Sequence, residues 1–182
     1  MKNRLLFLGP PGAGKGTQAE IVSKKFNLLH LSTGDLLRNE VSKKTDLGVE
    51  AEKIMNKGEL VSDSIVLSIV KKNLVQKNQG WLLDGFPRNL DQAKLLNLIL
   101  DDIKQVIDSV VFIDIEEDLL VTRLIKRGRD DDTEEVIRNR LSLYKSKTQP
   151  LVKFYSKLNL LSKIDGNGEI DVVSKRIVEV LK

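Results

Sequence analysis

Residues 9–17, Gly-Pro-Pro-Gly-Ala-Gly-Lys-Gly-Thr, follow directly on the apolar run Leu5-Leu6-Phe7-Leu8. A strand that runs into so glycine-rich a turn, with a lysine where a helix should start, builds an anion cradle. The glycines let successive backbone N–H groups point inward at a polyphosphate. The helix N-terminus adds its partial positive charge, and Lys15 supplies a cation for the outer phosphates. Gly9, Gly14 and Lys15 meet the spacing G-x-x-x-x-G-K. An ordinary turn needs one or two glycines and no lysine, so it accounts poorly for this segment. The slot after the lysine, usually Ser or Thr, holds Gly16, and the hydroxyl comes one residue later at Thr17. Displaced in this way, the hydroxyl suits a phosphate or a metal-bound water better than direct metal ligation.

A chain of 182 residues suits one domain, or a core with small inserted lids. Its hydrophobic content of 41% supports a real core, and the 4% aromatic content leaves that core to Leu, Ile and Val. The chain has no cysteine, which excludes disulfides and thiolate zinc sites and fits a reducing, cytoplasmic setting. No signal-peptide pattern is expected, since the first apolar run is short and ends in Gly-Pro-Pro. No stretch approaches the roughly 20 apolar residues of a membrane span, so no membrane partner is expected. Net charge is +4, but 30 Lys and Arg face 26 acids and are interleaved with them. Pairs such as Lys24-Lys25, Lys43-Lys44 and Lys71-Lys72 read as solvated helix faces. Aromatic residues interleaved with basic ones are lacking, so no nucleic-acid platform is expected.

Apolar runs alternate with helical periods, the pattern of a parallel α/β sheet. Strands are predicted over 4–8, 28–31, 81–83, 109–114 and 160–164. Ala19, Val22 and Phe26 share a helix face, as do Val66, Ile69, Val70, Asn73 and Leu74. Ile137, Leu141, Tyr144 and Thr148 form another stripe, which Pro150 should kink or end. Thr133 before Glu134-Glu135 reads as an N-cap. Gly166-Asn167-Gly168 is a turn before a last amphipathic helix carrying Val173, Ile177, Val180 and Leu181. Two connections exceed a simple crossover. Three helix-length segments lie between Leu31 and Trp81, and a charge-dense loop, Lys126-Arg127-Gly128-Arg129-Asp130-Asp131-Asp132, precedes Thr133.

Arginines follow the strand ends on the edge that carries the phosphate loop. Arg38 comes after the second strand, Arg88 after the third, and Arg123, Arg127 and Arg129 flank the charged loop, with Arg140 on the next helix. Guanidiniums converging on one cleft repel unless an anion sits there, and phosphoryl transfer needs that arrangement. Arg138 reads as solvated. Asp84 ends an apolar strand beside the phosphate loop, a place for magnesium held directly or through water. An Asx turn into Gly85 is the simpler alternative. Asp131 and Asp132 could organise the loop arginines by salt bridges. His30 reads as a core or edge residue rather than a catalyst.

With these motifs in place, the chain resembles the adenylate kinases, of the nucleoside monophosphate kinase family, over essentially its whole length. The resemblance rests on residues 9–18, 32–38, 58–63, 83–88 with Gln92, 123–129, Asp131-Asp132 and Arg140. It implies a P-loop NTPase three-layer α/β fold, with a five-stranded parallel sheet flanked by helices. Within one domain it implies a core of 1–31, 62–125 and 133–182, an NMP-binding insert over 32–61 and a short lid loop over 126–132. Gly12, Ala13, Gly14, Lys15, Gly16 and Thr17 would hold the ATP phosphates, Arg123 would stack on the ATP adenine, and Gly168 would offer it backbone. Thr33, Gly34, Arg38, Glu59, Leu60, Val61, Gly85, Phe86, Pro87, Arg88 and Gln92 would hold AMP. Arg127, Arg129 and Arg140 would close over the phosphates, and Lys15, Arg88, Arg127, Arg129 and Arg140 would carry catalysis. The reaction implied is magnesium-dependent transfer from ATP to AMP giving two ADP, by a monomer without zinc. A pyrimidine nucleotide kinase is the nearest rival. Thr33 and the Gln92 carboxamide, which offers both a donor and an acceptor, favour adenine. A non-enzymatic nucleotide sensor would not need the full arginine set, and a nucleic-acid-dependent ATPase ranks third.

Overall fold

The computed structural model describes residues 2–75, 79–129 and 132–182. Its strands are β1 (Arg4–Leu8), β2 (Leu29–Ser32), β3 (Trp81–Asp84), β4 (Ser109–Asp114) and β5 (Leu161–Asp165). Its helices are α1 (Lys15–Phe26), α2 (Thr33–Ser42), α3 (Asp46–Met55), α4 (Asp63–Val75), α5 (Leu90–Asp102), α6 (Glu117–Arg127), α7 (Glu134–Leu143), α8 (Pro150–Lys157) and α9 (Ile170–Leu181). The strands form one parallel sheet in the order β2-β3-β1-β4-β5.

A parallel sheet is buried on both faces, so its strands read as continuous apolar runs and their two-residue period sorts the core. Leu6, Leu8, Leu83, Val110 and Phe112 point to one face, where Val66, Val70, Ala93, Leu96, Leu151 and Tyr155 cover them. Leu5, Phe7, Leu82, Val111 and Ile113 point to the other, under Ala19, Val22, Leu120, Leu124, Ile137, Val173 and Ile177. Strand order reverses at β1, with β3 and β2 on one side and β4 and β5 on the other. Ligands bind at such a switch point, in the crevice at the carboxyl ends of the strands. The phosphate loop leaves β1 there.

Two strands start one residue later than their apolar runs suggest, for a shared reason. Asn27 after α1 and Asn159 after α8 both adopt the left-handed conformation, with φ of 52° and 56°. The next N–H then turns back to close the helix end: Leu28 N donates to Ser23 O at 2.9 Å, and Leu160 N to Tyr155 O at 3.1 Å. Leu28 and Leu160 thus belong to helix caps. At its other end β3 gains Asp84, which pairs in register with Phe7 and Ser32.

Pro150 does not end the helical run. After α7 the chain makes one wide π turn over Tyr144–Thr148, closed by Gln149 N donating to Tyr144 O at 2.8 Å, and α8 starts at Pro150 in its first turn. A proline lacks the N–H and crowds the carbonyl four residues back, and the wide turn absorbs both. Thr133 caps α7 as expected, accepting from Val136 N at 3.4 Å.

The hydroxyl of Tyr155, fully buried on α8, has no hydrogen-bond partner among the described residues. Burial pushes its pKa up. A buried polar group without a partner carries its desolvation cost uncompensated. Tyr155→Phe should therefore raise the unfolding free energy by about 1 kcal/mol, measured by denaturant unfolding. A comparable loss would show that the hydroxyl hydrogen-bonds to buried water instead.

Candidate active site

The phosphate loop is shaped by backbone that side chains resist. Gly12 and Gly14 have φ of 87° and 83°, in the left-handed region that glycine enters without strain. Ala13 N donates to Pro10 O at 3.2 Å, and Gln18 N donates to Gly14 O at 3.0 Å as α1 begins. The Ala13 side chain is buried, so this residue offers only its backbone. Lys15 turns back on the loop, its Nζ donating to Gly9 O at 2.8 Å and Pro10 O at 2.9 Å. Burial lowers its pKa from 10.5 to about 8, against the opposing pull of Asp84 and with help from Arg88 and Arg127. Gly16 lines the cleft, whereas Thr17 is exposed on the first turn of α1 and lines none of it.

Asp84 is buried at the end of β3. Its Oδ2 would lie 3.5 Å from a Cβ placed on Gly16, so the carboxylate faces the first turn of α1. A glycine in the usual hydroxyl slot leaves this approach open. Thr33 is buried and donates to Gly85 O at 3.0 Å, which leaves its oxygen free to accept.

Arg88 is held from three sides. Its Nε donates to Gly85 O at 2.7 Å, its N–H to Gln92 Oε1 at 2.6 Å, and its carbonyl accepts from Thr148 Oγ1 at 2.7 Å. Burial and the charges of Arg140 and Arg38 press its pKa below the ordinary guanidinium value, with Asp84 opposing. Gln92 is itself buried. Its Nε2 donates to Asp63 Oδ1 at 2.6 Å, and its N–H donates to Asn89 Oδ1 at 2.7 Å, which caps α5. One donor and one acceptor of the carboxamide remain for a ligand.

The arginines of the charged loop gather on Asp132, whose side chain is almost fully enclosed. Arg127 donates to it from Nε at 2.8 Å and from Nη2 at 2.5 Å, Arg140 from Nη1 at 3.2 Å, and the Arg129 backbone at 3.2 Å. Burial would raise the Asp132 carboxyl, but these hydrogen bonds and charges outweigh it and hold it below the usual range. Asp35 plays a similar part on α2. It pairs with Arg38 and lies 4.0 Å from Arg129 Nη2, and these partners with the Ser32 hydroxyl outweigh burial and lower its pKa. Asp131 lies outside the described residues, as does Asp130. The segment before α4 also rests on α7, through bare backbone. A Cβ on Gly58 would come within 2.9 Å of Val136 O, and Asn139 Nδ2 donates to Lys57 O at 2.5 Å.

Most of the residues singled out in the sequence meet in one cleft. Its lining includes Gly12, Lys15, Gly16, Thr33, Gly34, Arg38, Glu59, Leu60, Val61, Asp84, Gly85, Pro87, Arg88, Gln92, Arg127, Arg129 and Arg140. Gly14 shapes the loop without lining that cleft, and the Phe86 ring lies fully in the core. Arg123, on α6, and Gly168, in the turn before α9, are not brought into it. The start of α9, just after that turn, is tied to α1, because Gln18 donates to Ile170 O at 2.9 Å and accepts from Ser174 at 2.6 Å. Arg138 pairs with Glu134 in the open, as a solvated arginine would. Tyr144 and Thr148 also line the cleft, although the sequence offered them only as a helix stripe. Burial and Asp114 push the Tyr144 phenol up to about 12.

A phosphate loop at the switch point, a buried strand-end aspartate and five clustered arginines define a P-loop kinase for nucleotides. The profile of the adenylate kinase family matches residues 7–160. An adenylate kinase of Prochlorococcus marinus (strain SARG) is 59% identical over 181 residues, covering 100% of both chains. One from strain NATL1A of the same species is 58% identical over 173 residues, 95% of each chain. One from Synechococcus sp. (strain CC9311) is 56% identical over 182 residues, 100% of each. The chain belongs to the adenylate kinase family, the nucleoside monophosphate kinases that transfer a phosphoryl group reversibly from ATP to AMP to give two ADP.

The lowered pKa of Lys15 has a measurable sign. Between about pH 8 and the unfolded value of 10.5, the unfolded chain holds a proton that the folded chain has lost. This group's contribution to stability therefore rises with pH across that window. A polyphosphate beside Nζ favours the charged form, so binding above pH 8 should draw a proton in. Calorimetry of ATP binding at pH 9, in buffers of differing ionisation enthalpy, should show that uptake. Lys15→Met should abolish it.

Proposed function

We propose that the cleft divides the reaction between two nucleotides meeting at Lys15. What supports this is the charge balance. The described residues that line the cleft include six cations, Lys15, Arg38, Arg88, Arg127, Arg129 and Arg140, and three acids, Asp35, Glu59 and Asp84, with Asp132 pairing Arg127 and Arg140 from beside it. A site so positive suits two polyphosphate chains and their transferring group. The backbone from Gly12 to Thr17 takes the ATP phosphates, with the base toward Arg123 and Gly168. Thr33, Gly34, Arg38, the backbone from Glu59 to Val61, Gly85 to Arg88 and Gln92 take AMP. The AMP phosphate is already an anion at neutral pH, so the acceptor needs no general base.

Lys15 leaves the Gly9 and Pro10 carbonyls for the outer phosphates, while Arg88, Arg127, Arg129 and Arg140 cover the group in flight. Asp84 fits a magnesium ion held through water: it is a buried carboxylate facing the phosphate loop. Among the described residues no three His, Asp or Glu side chains gather as a metal site, so the ion's other ligands would be phosphates and water. When bound, magnesium neutralises phosphate oxygens. The segment 32–61 closes as the AMP-binding insert and 126–132 as a short lid, excluding water that would compete with AMP. We read the enzyme as a cytoplasmic monomer, in line with a chain free of cysteine; no described helix is long and apolar enough to cross a membrane.

With magnesium and ATP, turnover should be much faster with AMP than with CMP or UMP in a coupled assay for ADP. Faster turnover with either pyrimidine nucleotide would overturn the acceptor assignment. Lys15→Ala should raise the barrier by about 3 kcal/mol or more without lowering stability, since the buried charge it removes is itself costly to the fold.

Arg88→Lys should not be conservative, because lysine keeps the charge but loses the planar fork that bridges two phosphate oxygens. Its kcat should fall nearly as far as that of Arg88→Ala, with little change in Tm. Full activity in the lysine variant would rule out a bidentate role.

A further inference from the structure

The Gln92 carboxamide is pinned at both ends by groups of fixed polarity. The backbone N–H of Arg88 can only donate, and it meets Oε1 at 2.6 Å. The Asp63 carboxylate can only accept when ionised, and it meets Nε2 at 2.6 Å. Asn89 Nδ2 reaches the same carboxylate at 3.3 Å and 3.4 Å. Asp63 stands on the first turn of α4, where the chain returns from the segment between β2 and α4. None of the roles assigned above uses it. Yet a carboxamide in a pocket is ambiguous by itself, since rotation about its last bond exchanges donor and acceptor.

We propose that Asp63 is a specificity-determining residue for the acceptor base, acting through Gln92 by fixing which end of the carboxamide donates. This rests on the reading that Gln92 faces the AMP base. With the polarity fixed, the remaining acceptor and donor of Gln92 match adenine, whose 6-amino group donates and whose N1 accepts. A 6-oxopurine carries the reverse pair, an accepting oxygen at C6 and a donating N1–H. It would set oxygen against Oε1 and N–H against Nε2 unless the carboxamide inverted, and inversion would turn its NH₂ on the Arg88 N–H and its oxygen on the Asp63 carboxylate. Asp63 thereby makes 6-oxopurine nucleotides poor acceptors without touching the base.

The experiment compares kcat/KM for AMP and IMP with ATP and magnesium in the wild-type enzyme, Asp63→Ser, Asp63→Asn and Gln92→Leu. Serine keeps a good residue at the helix start but falls short of Gln92. Asparagine keeps an oxygen that accepts from Nε2, turned that way by the Nδ2 of Asn89, whose own Oδ1 is taken by the Gln92 N–H. Asp63→Ser should narrow the AMP-to-IMP ratio by about tenfold, with Asp63→Asn staying close to wild type. Thermal unfolding of each variant accompanies the kinetics. If Asp63→Ser slows AMP and IMP in parallel, or leaves both unchanged while Gln92→Leu collapses the ratio, Asp63 is structural only and the proposal fails. If Gln92→Leu leaves the ratio unchanged, the reading of Gln92 as the base contact fails first. Should Asp63→Ser not fold, Asp63→Asn decides together with Asp63→Glu: the longer carboxylate shifts Nε2, so its ratio should fall while that of Asp63→Asn holds, and an unchanged ratio in Asp63→Glu overturns the proposal.

Discussion

Everything in the cleft depends on holding like charges close together before any anion arrives. Lys15, Arg88, Arg127, Arg129 and Arg140 lie at the carboxyl edge of one sheet, and their repulsion must be met by the fold. Asp132 meets part of it by binding Arg127 with two hydrogen bonds and Arg140 with one. Asp35 does the same for Arg38 and reaches toward Arg129. Lys15 is met by two carbonyls instead, and burial lowers its pKa to about 8. These partners are single carboxylates and neutral carbonyls, which carry less negative charge than a polyphosphate.

The scaffold supplies the geometry. Register pairs Asp84 with Phe7 and Ser32, so the buried Asp84 carboxylate, the phosphate loop and the start of α2 share one level of the sheet. Arg88 sits four residues further on and is fixed through its backbone N–H and carbonyl and through its Nε, all by neutral partners. That leaves its Nη atoms available to a ligand while the rest of the residue is immobile, the kind of preorganisation electrostatic catalysis requires.

Much of this was legible in the chain, because the phosphate loop, the strand-end aspartate and the arginine spacing are local signals. The five strands were also legible, to within one residue. The shifts at Leu28 and Leu160 came from left-handed asparagines, whose effect lies in backbone conformation rather than in hydropathy. Gln92 was singled out for its carboxamide, but its two protein partners were invisible, since Asp63 lies 29 residues away along the chain. The bonding of Asp132 was one of several options for an acidic loop, because charge alone does not say which arginine a carboxylate will meet. Whether Pro150 would kink or end the helix stayed open in the sequence, because the wide turn that absorbs the proline lies in backbone geometry rather than in hydropathy.

The π turn at Tyr144–Thr148 carries an implication for how this chain tolerates changes in length. A wide turn accommodates one residue more than an α turn over the same rise. Each residue of an α-helix advances the side-chain direction by about 100°. Removing one residue here would restore a regular ladder but swing either α7 or α8 out of phase. Arg140 on one side, or Leu151 and Tyr155 on the other, would then point the wrong way, and the Thr148 hydroxyl would lose the Arg88 carbonyl. The spacing between Arg140 and Tyr155 is thus set by phase, so sequences of this kind should keep its count fixed even where the residues between them drift.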